Sequence, residues 1–226
     1  MSIPLVDAAA LVVLLVFLPV LSVVQVGMLR RIEVERMGAY VSSAMTLLAL
    51  GGGVWVVGSR AGGASALGLV PVPWRAFAAW SAGLVATGLA VTAAFRVAGP
   101  RLGLGESRLL RDLLPRTPRE RATFAGLSLA AGVGEELAYR GYVIPVLAGL
   151  VGSPVAIALS SLVFGLLHAY QGALGMVRTA TLGWVLAVGF LASGSLWPPM
   201  AAHAILDLLL GMALAERMMV PEEAHP

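Results

Sequence analysis

The sequence GVGEELAYRG at residues 132–141 places two adjacent carboxylates and a guanidinium inside a long apolar run. The charged residues are Glu135, Glu136 and Arg140, and the surrounding residues are mostly apolar from position 124 to position 151. On insertion scales, each charge at the centre of a membrane helix costs roughly 2.5–3.5 kcal/mol. Charged residues in such a run are therefore expected to serve either helix packing or chemistry.

The spacing of the three charged residues separates a pair from a single carboxylate. Glu136 and Arg140 are four residues apart, so they share one helix face and are able to form an ion pair. Glu135 points about 100° away from Glu136 on a helix with 3.6 residues per turn, and it has no local partner. An isolated ion pair would only fix helix packing, whereas a second, unpaired carboxylate beside it favours chemistry.

The composition indicates a polytopic membrane protein. Of the 226 residues, 59% are hydrophobic and only 12% are charged, too few to cover a water-soluble surface. The mean hydropathy is +0.91. The net charge of +3 is therefore not a signal for nucleic acid, and the 15 basic residues are all arginine. The absence of cysteine excludes disulfides, thiolate chemistry and a cysteine-based zinc site.

The apolar segments predict an all-α fold with about seven transmembrane helices. The predicted spans are 3–28, 39–57, 76–97, 122–151, 155–170, 174–192 and 200–214. We expect a single membrane domain over residues 1–226, with three N-terminal spans in 1–100 and a four-span catalytic core over 122–214. The fourth span is longer than a bilayer requires, which predicts either a tilt or a break near Gly141 or Pro145.

An arginine-rich polar segment at residues 96–121 separates the third and fourth spans. Its leucine spacing predicts an amphipathic helix on the membrane surface at residues 101–116, with a plain basic loop as the alternative. Seven spans place twelve arginines on one side of the membrane and two on the other. This asymmetry predicts a multi-pass membrane protein with an external N-terminus and a cytoplasmic C-terminus.

Two further pairs of residues lie four apart on later spans, Phe164 with His168 and His203 with Asp207. At a helical rise of 1.5 Å per residue, Glu135 and His168 lie at similar distances from the turn that joins their spans. His203 lies only a few residues into its span, so its depth agrees less well unless the preceding turn re-enters the membrane.

A carboxylate and two imidazoles that meet in a low-dielectric cavity are suited to the activation of water. Glu135 would act as the general base and His168 would orient the attacking water. His203 would donate to a developing oxyanion and would be steadied by Asp207. For either histidine alone, the alternative is a core residue with satisfied hydrogen bonds.

The motifs EExxxR, FxxxH and HxxxD, in this order, resemble those of the CPBP family of intramembrane endopeptidases. This family is also described as the Abi or type II CAAX prenyl protease family. The resemblance covers about residues 122–214. It implies an all-helical membrane fold and hydrolysis of a peptide bond in a membrane-anchored protein or peptide, without a serine or cysteine nucleophile and without a cofactor.

The resemblance also assigns roles by motif position. It implies catalytic roles for Glu135, His168, His203 and Asp207, and supporting roles for Glu136, Arg140 and Phe164. Tyr139 departs from the phenylalanine that is common before the arginine, and Asp207 departs from the asparagine of the eukaryotic enzymes. The second departure weakens a specific expectation of prenylated CAAX substrates. Bacterial members, including sorting-signal proteases of the myxosortase type, fit an arginine-only chain at least as well, and this resemblance implies a location in the bacterial inner membrane.

Three alternative functions remain open from the residues alone. Glu135, His168 and His203 would be the ligands of a zinc-dependent intramembrane protease, although no HExxH helix is present. The two histidines would be the axial ligands of a haem protein, which leaves the charged motif unexplained. A non-enzymatic transporter or scaffold would use the buried charges for proton coupling, although the chain is short and has no repeat.

Overall fold

Helices make up most of the computed structural model, which describes residues 3–29 and 34–213. No β-strand occurs in these described ranges, which confirms the predicted all-α fold. The helices are α1 Leu5–Leu29, α2 Arg36–Gly58, α3 Trp74–Arg101, α4 Arg108–Asp112, α5 over residues 118–151, α6 Ser153–Leu167, α7 Gly172–Ser193 and α8 over residues 197–213. Arg30, Arg31, Arg217 and His225 lie outside the described residues, as does the end of the last predicted span.

Seven of these helices are long, and they correspond to the seven predicted spans. Four helical segments, α1, α2, α3 and the run that contains α7, are long and apolar enough to cross a membrane by themselves. The helix α6 has only 15 residues, and α5 contains the charged motif. The protein is therefore an all-α, polytopic integral membrane protein.

Contacts at the two ends of the bundle show how the helices alternate in direction. At one end, the Tyr40 hydroxyl at the start of α2 donates to the Leu113 carbonyl, 2.6 Å away, in the segment before α5. At the other end, Arg60 after α2 pairs with Asp7 in α1 at 3.1 Å. The start of α2 and the loop between α3 and α5 therefore lie on the same side, as an antiparallel arrangement requires.

The helix α5, which carries the charged motif, lies at the centre of the bundle. It begins at a capping box, in which Thr117 and Glu120 each accept a backbone N–H of the other, with Pro118 as the first helical residue. Of the two predicted alternatives, a tilt or a break near Gly141 or Pro145, the break does not occur. Instead the helix widens into π-helical turns over Leu137–Val143 and continues to Val151. Every residue from position 136 to position 144 is buried, so neighbouring helices surround this stretch.

Glycines let two neighbouring helices approach the backbone of α5. A Cβ atom on Gly132 would lie 2.8 Å from the Met200 carbonyl oxygen of α8, and one on Gly51 of α2 would lie 3.2 Å from the Gly134 Cα. Both distances are shorter than ordinary contacts of a Cβ atom. Close packing at these positions brings α8 against the part of α5 that precedes the charged motif.

The segment at residues 101–116 differs from the predicted surface helix. The helix α3 continues to Arg101, the chain turns at Gly103 with φ of 62°, and only the five residues of α4 are helical. Ser107 caps this short helix by accepting the N–H of Leu110. Glu106 and Leu109 are buried, so this segment packs against the protein. The glycines at 103 and 105 interrupt the helical pattern that the leucine spacing suggested.

The turn that precedes α8 lies inside the bundle. The Leu196 N–H donates to the Gly68 carbonyl at 2.8 Å, and the Ser195 hydroxyl donates to the Val70 carbonyl at 2.7 Å. Ser195, Leu196 and the two prolines at 198 and 199 are buried. Because α8 starts at this recessed turn, a residue near its beginning lies deeper than its sequence position suggests.

Candidate active site

Glu136 is the residue that joins the motif helix to α8. Its Oε1 atom accepts a hydrogen bond from Arg140 Nη1 at 2.9 Å and another from His203 Nδ1 at 2.8 Å. The Glu136 side chain is fully buried and that of Arg140 is 1% exposed. The predicted pairing of Glu136 with Arg140 is therefore confirmed. The bond to His203 was not predicted, because the sequence does not show that the turn before α8 is recessed.

Arg140 is held by two further contacts. Its Nη2 atom donates to the Gly183 carbonyl of α7 at 3.1 Å, and its guanidinium carbon lies 4.1 Å from the centre of the Phe164 ring. A Cβ atom on Gly183 would lie 3.0 Å from Arg140 Nη2 and 3.1 Å from the Phe164 ring. The small residue at 183 thus leaves room for the arginine between three helices.

Phe164 packs between the two histidines of the candidate site. The centre of its ring is 4.9 Å from that of His168 and 5.9 Å from that of His203. Tyr139 contacts the same ring edge-on at 5.7 Å. Phe164 therefore fixes the relative position of α6 and α8 around the charged motif.

Glu135 faces the other side of the His203 ring. Its Oε2 atom is 3.8 Å from His203 Nε2, and Asp207 Oδ2 is 3.7 Å from the same nitrogen. Glu135 Oε2 is buried and accepts no hydrogen bond from the described residues. The Asp207 side chain is 39% exposed, compared with 14% for Glu135, so the site opens towards Asp207.

Hydrogen bonding fixes the tautomer of His168, which lies immediately after α6. Its Nδ1 atom is 2.8 Å from the Phe164 carbonyl oxygen. A carbonyl can only accept, so Nδ1 carries the hydrogen and Nε2 of the neutral ring is left as an acceptor. His168 therefore presents a lone pair rather than a donor when it is neutral.

The zinc alternative requires Glu135, His168 and His203 to converge on one point. Within residues 3–29 and 34–213, no group of three or more histidine, aspartate or glutamate side chains is arranged to hold a metal ion. The Nδ1 atoms of both histidines are engaged by other groups, which leaves only their Nε2 atoms for such a role. The zinc alternative therefore stays a prediction, with the two Nε2 atoms and Glu135 as its candidate ligands.

A second buried ion pair lies close to the site and was missed in the sequence. Arg178, one of the twelve arginines that the sequence analysis assigns to one side of the membrane, lies within α7 and pairs with Glu106. Burial raises the pKa of Glu106, and the neighbouring Arg178 opposes this shift. Arg178, like Glu135, is a charged residue within an apolar helix. Such a charge is expected to serve either packing or chemistry, so the sequence could have singled out Arg178 as well.

Comparison with known families gives one match to this part of the chain. The model described as type II CAAX prenyl endopeptidase Rce1-like matches residues 118–209. This range runs from the start of α5 to α8 and includes all the residues of the candidate site. No curated protein and no solved structure matches the chain significantly.

Proposed function

Because residues 118–209 match the family model of Rce1-like type II CAAX prenyl endopeptidases, we propose that the protein is a membrane protease that uses glutamate- and histidine-activated water. Its substrate would be a membrane-associated protein or peptide, cut near the C-terminus. The family and the apolar helices support an intramembrane endopeptidase in general. Our proposal goes further in three respects: the catalytic type, the roles of individual residues and the substrate.

The observation that carries this proposal is the gap between Glu135 Oε2 and His203 Nε2. The two atoms are 3.8 Å apart, which is too far for a hydrogen bond. A single oxygen atom about 2.8 Å from each would contact both. A substrate that enters this gap would meet the base on one side and the donor on the other, with the attacking water beside Glu135 and the scissile carbonyl oxygen beside His203.

The proposed reaction is a hydrolysis in which Glu135 carries the proton. As the water oxygen attacks the scissile carbonyl carbon, Glu135 takes one of its hydrogens, and the carbonyl oxygen becomes an oxyanion. The Nε2 lone pair of His168 accepts a hydrogen bond from the second hydrogen of the water and orients the attack. The C–N bond then breaks, and the proton held by Glu135 passes to the leaving amine.

His203 is proposed to stabilise the oxyanion by donating from Nε2. Its Nδ1 hydrogen already points to Glu136, so a donor at Nε2 requires a ring with both protons. The carboxylates of Glu136, Glu135 and Asp207 surround the ring and favour that cation. A positioned charged donor of this kind is the usual device for stabilising a tetrahedral intermediate.

The substrate is proposed to enter from the arginine-rich side of the bundle. The opening at Asp207 lies towards the end of α8 that is opposite its recessed turn. The loop between α3 and α5 is at that end, and the arginine asymmetry favours a cytoplasmic location for it in a bacterial inner membrane. Asp207, rather than asparagine, favours a membrane-anchored tail or sorting signal over a prenylated CAAX sequence.

Comparative proteomics of membrane-protein C-termini would test this function. Cells that express the wild type should contain shortened C-termini that are absent with Glu135→Ala. The matched control is Asp112→Ala, because the Asp112 side chain is exposed and lies outside the site. Identical C-termini in wild-type and Glu135→Ala cells would contradict the proposal.

The zinc alternative has its own test. Purified protein that loses activity in a chelator and regains it with zinc would replace the water mechanism with a metal mechanism. Activity that persists in the chelator would support the proposed one.

A further inference from the structure

A second polar cluster adjoins His168 at the turn between α6 and α7. It is formed by two segments that are distant in the sequence, the loop before α4 and the turn that leads into α7. Its members are Glu106, Ser107, Tyr170, Gln171, Arg178 and Thr179. None of these residues belongs to the three motifs.

The loop before α4 holds the turn after His168 in place. The Ser107 N–H donates to the Gln171 carbonyl at 3.1 Å, and the Ser107 hydroxyl donates to the Tyr170 carbonyl. The Gln171 N–H in turn donates to the His168 carbonyl at 2.9 Å. The backbone around Tyr170 is therefore fixed on both sides.

The side chain of Gln171 is oriented by two donors. Arg178, which is paired with the buried Glu106, donates from Nη2 to Gln171 Oε1 at 3.0 Å. The Thr179 hydroxyl donates to the same oxygen at 3.2 Å. A guanidinium has donors and no acceptor, so the amide atom that faces it must be the oxygen. The NH₂ group of Gln171 therefore points the other way.

The orientation of Gln171 determines the direction of the Tyr170 hydroxyl. Gln171 Nε2 is 3.3 Å from Tyr170 Oη and can only donate to it. The tyrosine oxygen therefore accepts this bond, and its own hydrogen is directed to another group. The Tyr170 ring lies 5.9 Å from the His168 ring, so Tyr170 borders the candidate site.

We propose that Tyr170 is a further catalytic residue, whose hydroxyl donates a hydrogen bond to the scissile carbonyl oxygen and to the oxyanion that forms from it. Tyr170 would be a second donor beside His203 and would keep its proton throughout the reaction. This inference rests on the proposed hydrolytic function. Glu106, Arg178 and Gln171 are positioning residues, because they act on the substrate only through Tyr170.

The first test removes the hydroxyl of Tyr170. The probe is an internally quenched peptide with a membrane anchor, copied from a C-terminal tail that differs between wild-type and Glu135→Ala membranes. Loss of one oxyanion donor costs about 10²–10³ in kcat in well-studied enzymes. We expect Tyr170→Phe to lower kcat by about 100-fold with little change in KM, because the contact strengthens in the transition state.

The second test reverses the hydrogen bond without removing the tyrosine. Gln171→Glu keeps an oxygen for Arg178 but replaces the donor that faces Tyr170 by an acceptor. The Tyr170 hydrogen should then turn towards the new carboxylate and away from the substrate. We expect Gln171→Glu to lose about as much kcat as Tyr170→Phe, and the double variant to lose no more, since both changes remove one interaction.

The control is Tyr142→Phe, because the Tyr142 hydroxyl donates to Asp7 at 2.7 Å at the other end of the bundle. It should keep the wild-type kcat. A Tyr170→Phe enzyme with wild-type kcat would overturn the role of Tyr170, as would wild-type kcat in Gln171→Glu or multiplicative losses in the double variant. By contrast, a wild type that cuts no more tails than Glu135→Ala would refute the proposed function itself.

Discussion

The two neighbouring glutamates of the motif should differ in what their removal costs. Glu136→Ala deletes the carboxylate that joins Arg140 to His203, whereas Glu135→Ala deletes a carboxylate with no hydrogen bond at its buried oxygen. We therefore expect Glu136→Ala to harm folding and Glu135→Ala to spare it. The adjacent positions provide a matched pair, since both changes remove the same atoms from one helix.

The expected cost of Glu136→Ala follows from the burial of its partners. The Arg140 side chain is 1% exposed and would keep only the Gly183 carbonyl and the Phe164 ring as partners among the described residues. Breaking a buried ion pair by removing one partner costs about 3–5 kcal/mol. Loss of the bond from His203 adds to this cost, although contributions within one network are not additive. We expect a loss of at least about 3 kcal/mol.

Equilibrium unfolding in mixed detergent micelles would measure both variants against the wild type. Glu135→Ala should lie within about 1 kcal/mol of the wild type, because it breaks no hydrogen bond to the described residues, whereas Glu136→Ala breaks two. It should nevertheless have no turnover. Equal destabilisation of the two variants would refute the separation between a structural and a catalytic glutamate.

The remaining predictions concern mechanism, topology and pH. Glu135→Ala and His168→Ala should each lose most of the cleavage rate, and the double variant should be little worse, whereas multiplicative losses would show that the two residues act separately. Leu110→Cys, the only cysteine in that variant, should react with a cytoplasmic thiol reagent, and labelling from outside would reverse the topology. Because burial raises the native pKa of Glu106, its stabilising contribution should be complete below the unfolded pKa and decline as the pH rises through the native pKa. Unfolding measured between roughly pH 4 and 8 should show this slope in the wild type and a flatter one in Glu106→Gln.

The sequence predicted those parts of the fold that depend on apolar length and local spacing. The described residues contain seven long helices, and Glu136 pairs with Arg140 as their four-residue spacing allows. Both features depend only on residues that lie close together in the sequence, within one or two helical turns of each other. Helix ends were less well predicted, because the capping of α5 at Thr117 and the turn at Gly103 are decided by side-chain bonds and glycine conformations.

The parts that the sequence did not predict depend on the depth of helices relative to one another. His203 reaches Glu136 because the turn before α8 is bonded to the backbone of Gly68 and Val70. No local pattern records that contact, which joins residues more than 120 positions apart. The same reasoning explains Glu106 and Arg178, which lie 72 positions apart and meet only when the loop before α4 folds onto α7.

The distribution of partners among the buried charges separates structural residues from the candidate base. In the described part of the chain, Glu136 is bonded to Arg140 and Glu106 is paired with Arg178. Each of these charges compensates another, and removing one partner would leave the other charge buried and unpaired. Glu135 is close to His203 but is not hydrogen-bonded to it, and its burial therefore costs stability that packing does not recover. An unpaired buried carboxylate of this kind is expected at a catalytic site. Its oxygen atoms make no structural hydrogen bond and therefore remain available to a water molecule or a substrate.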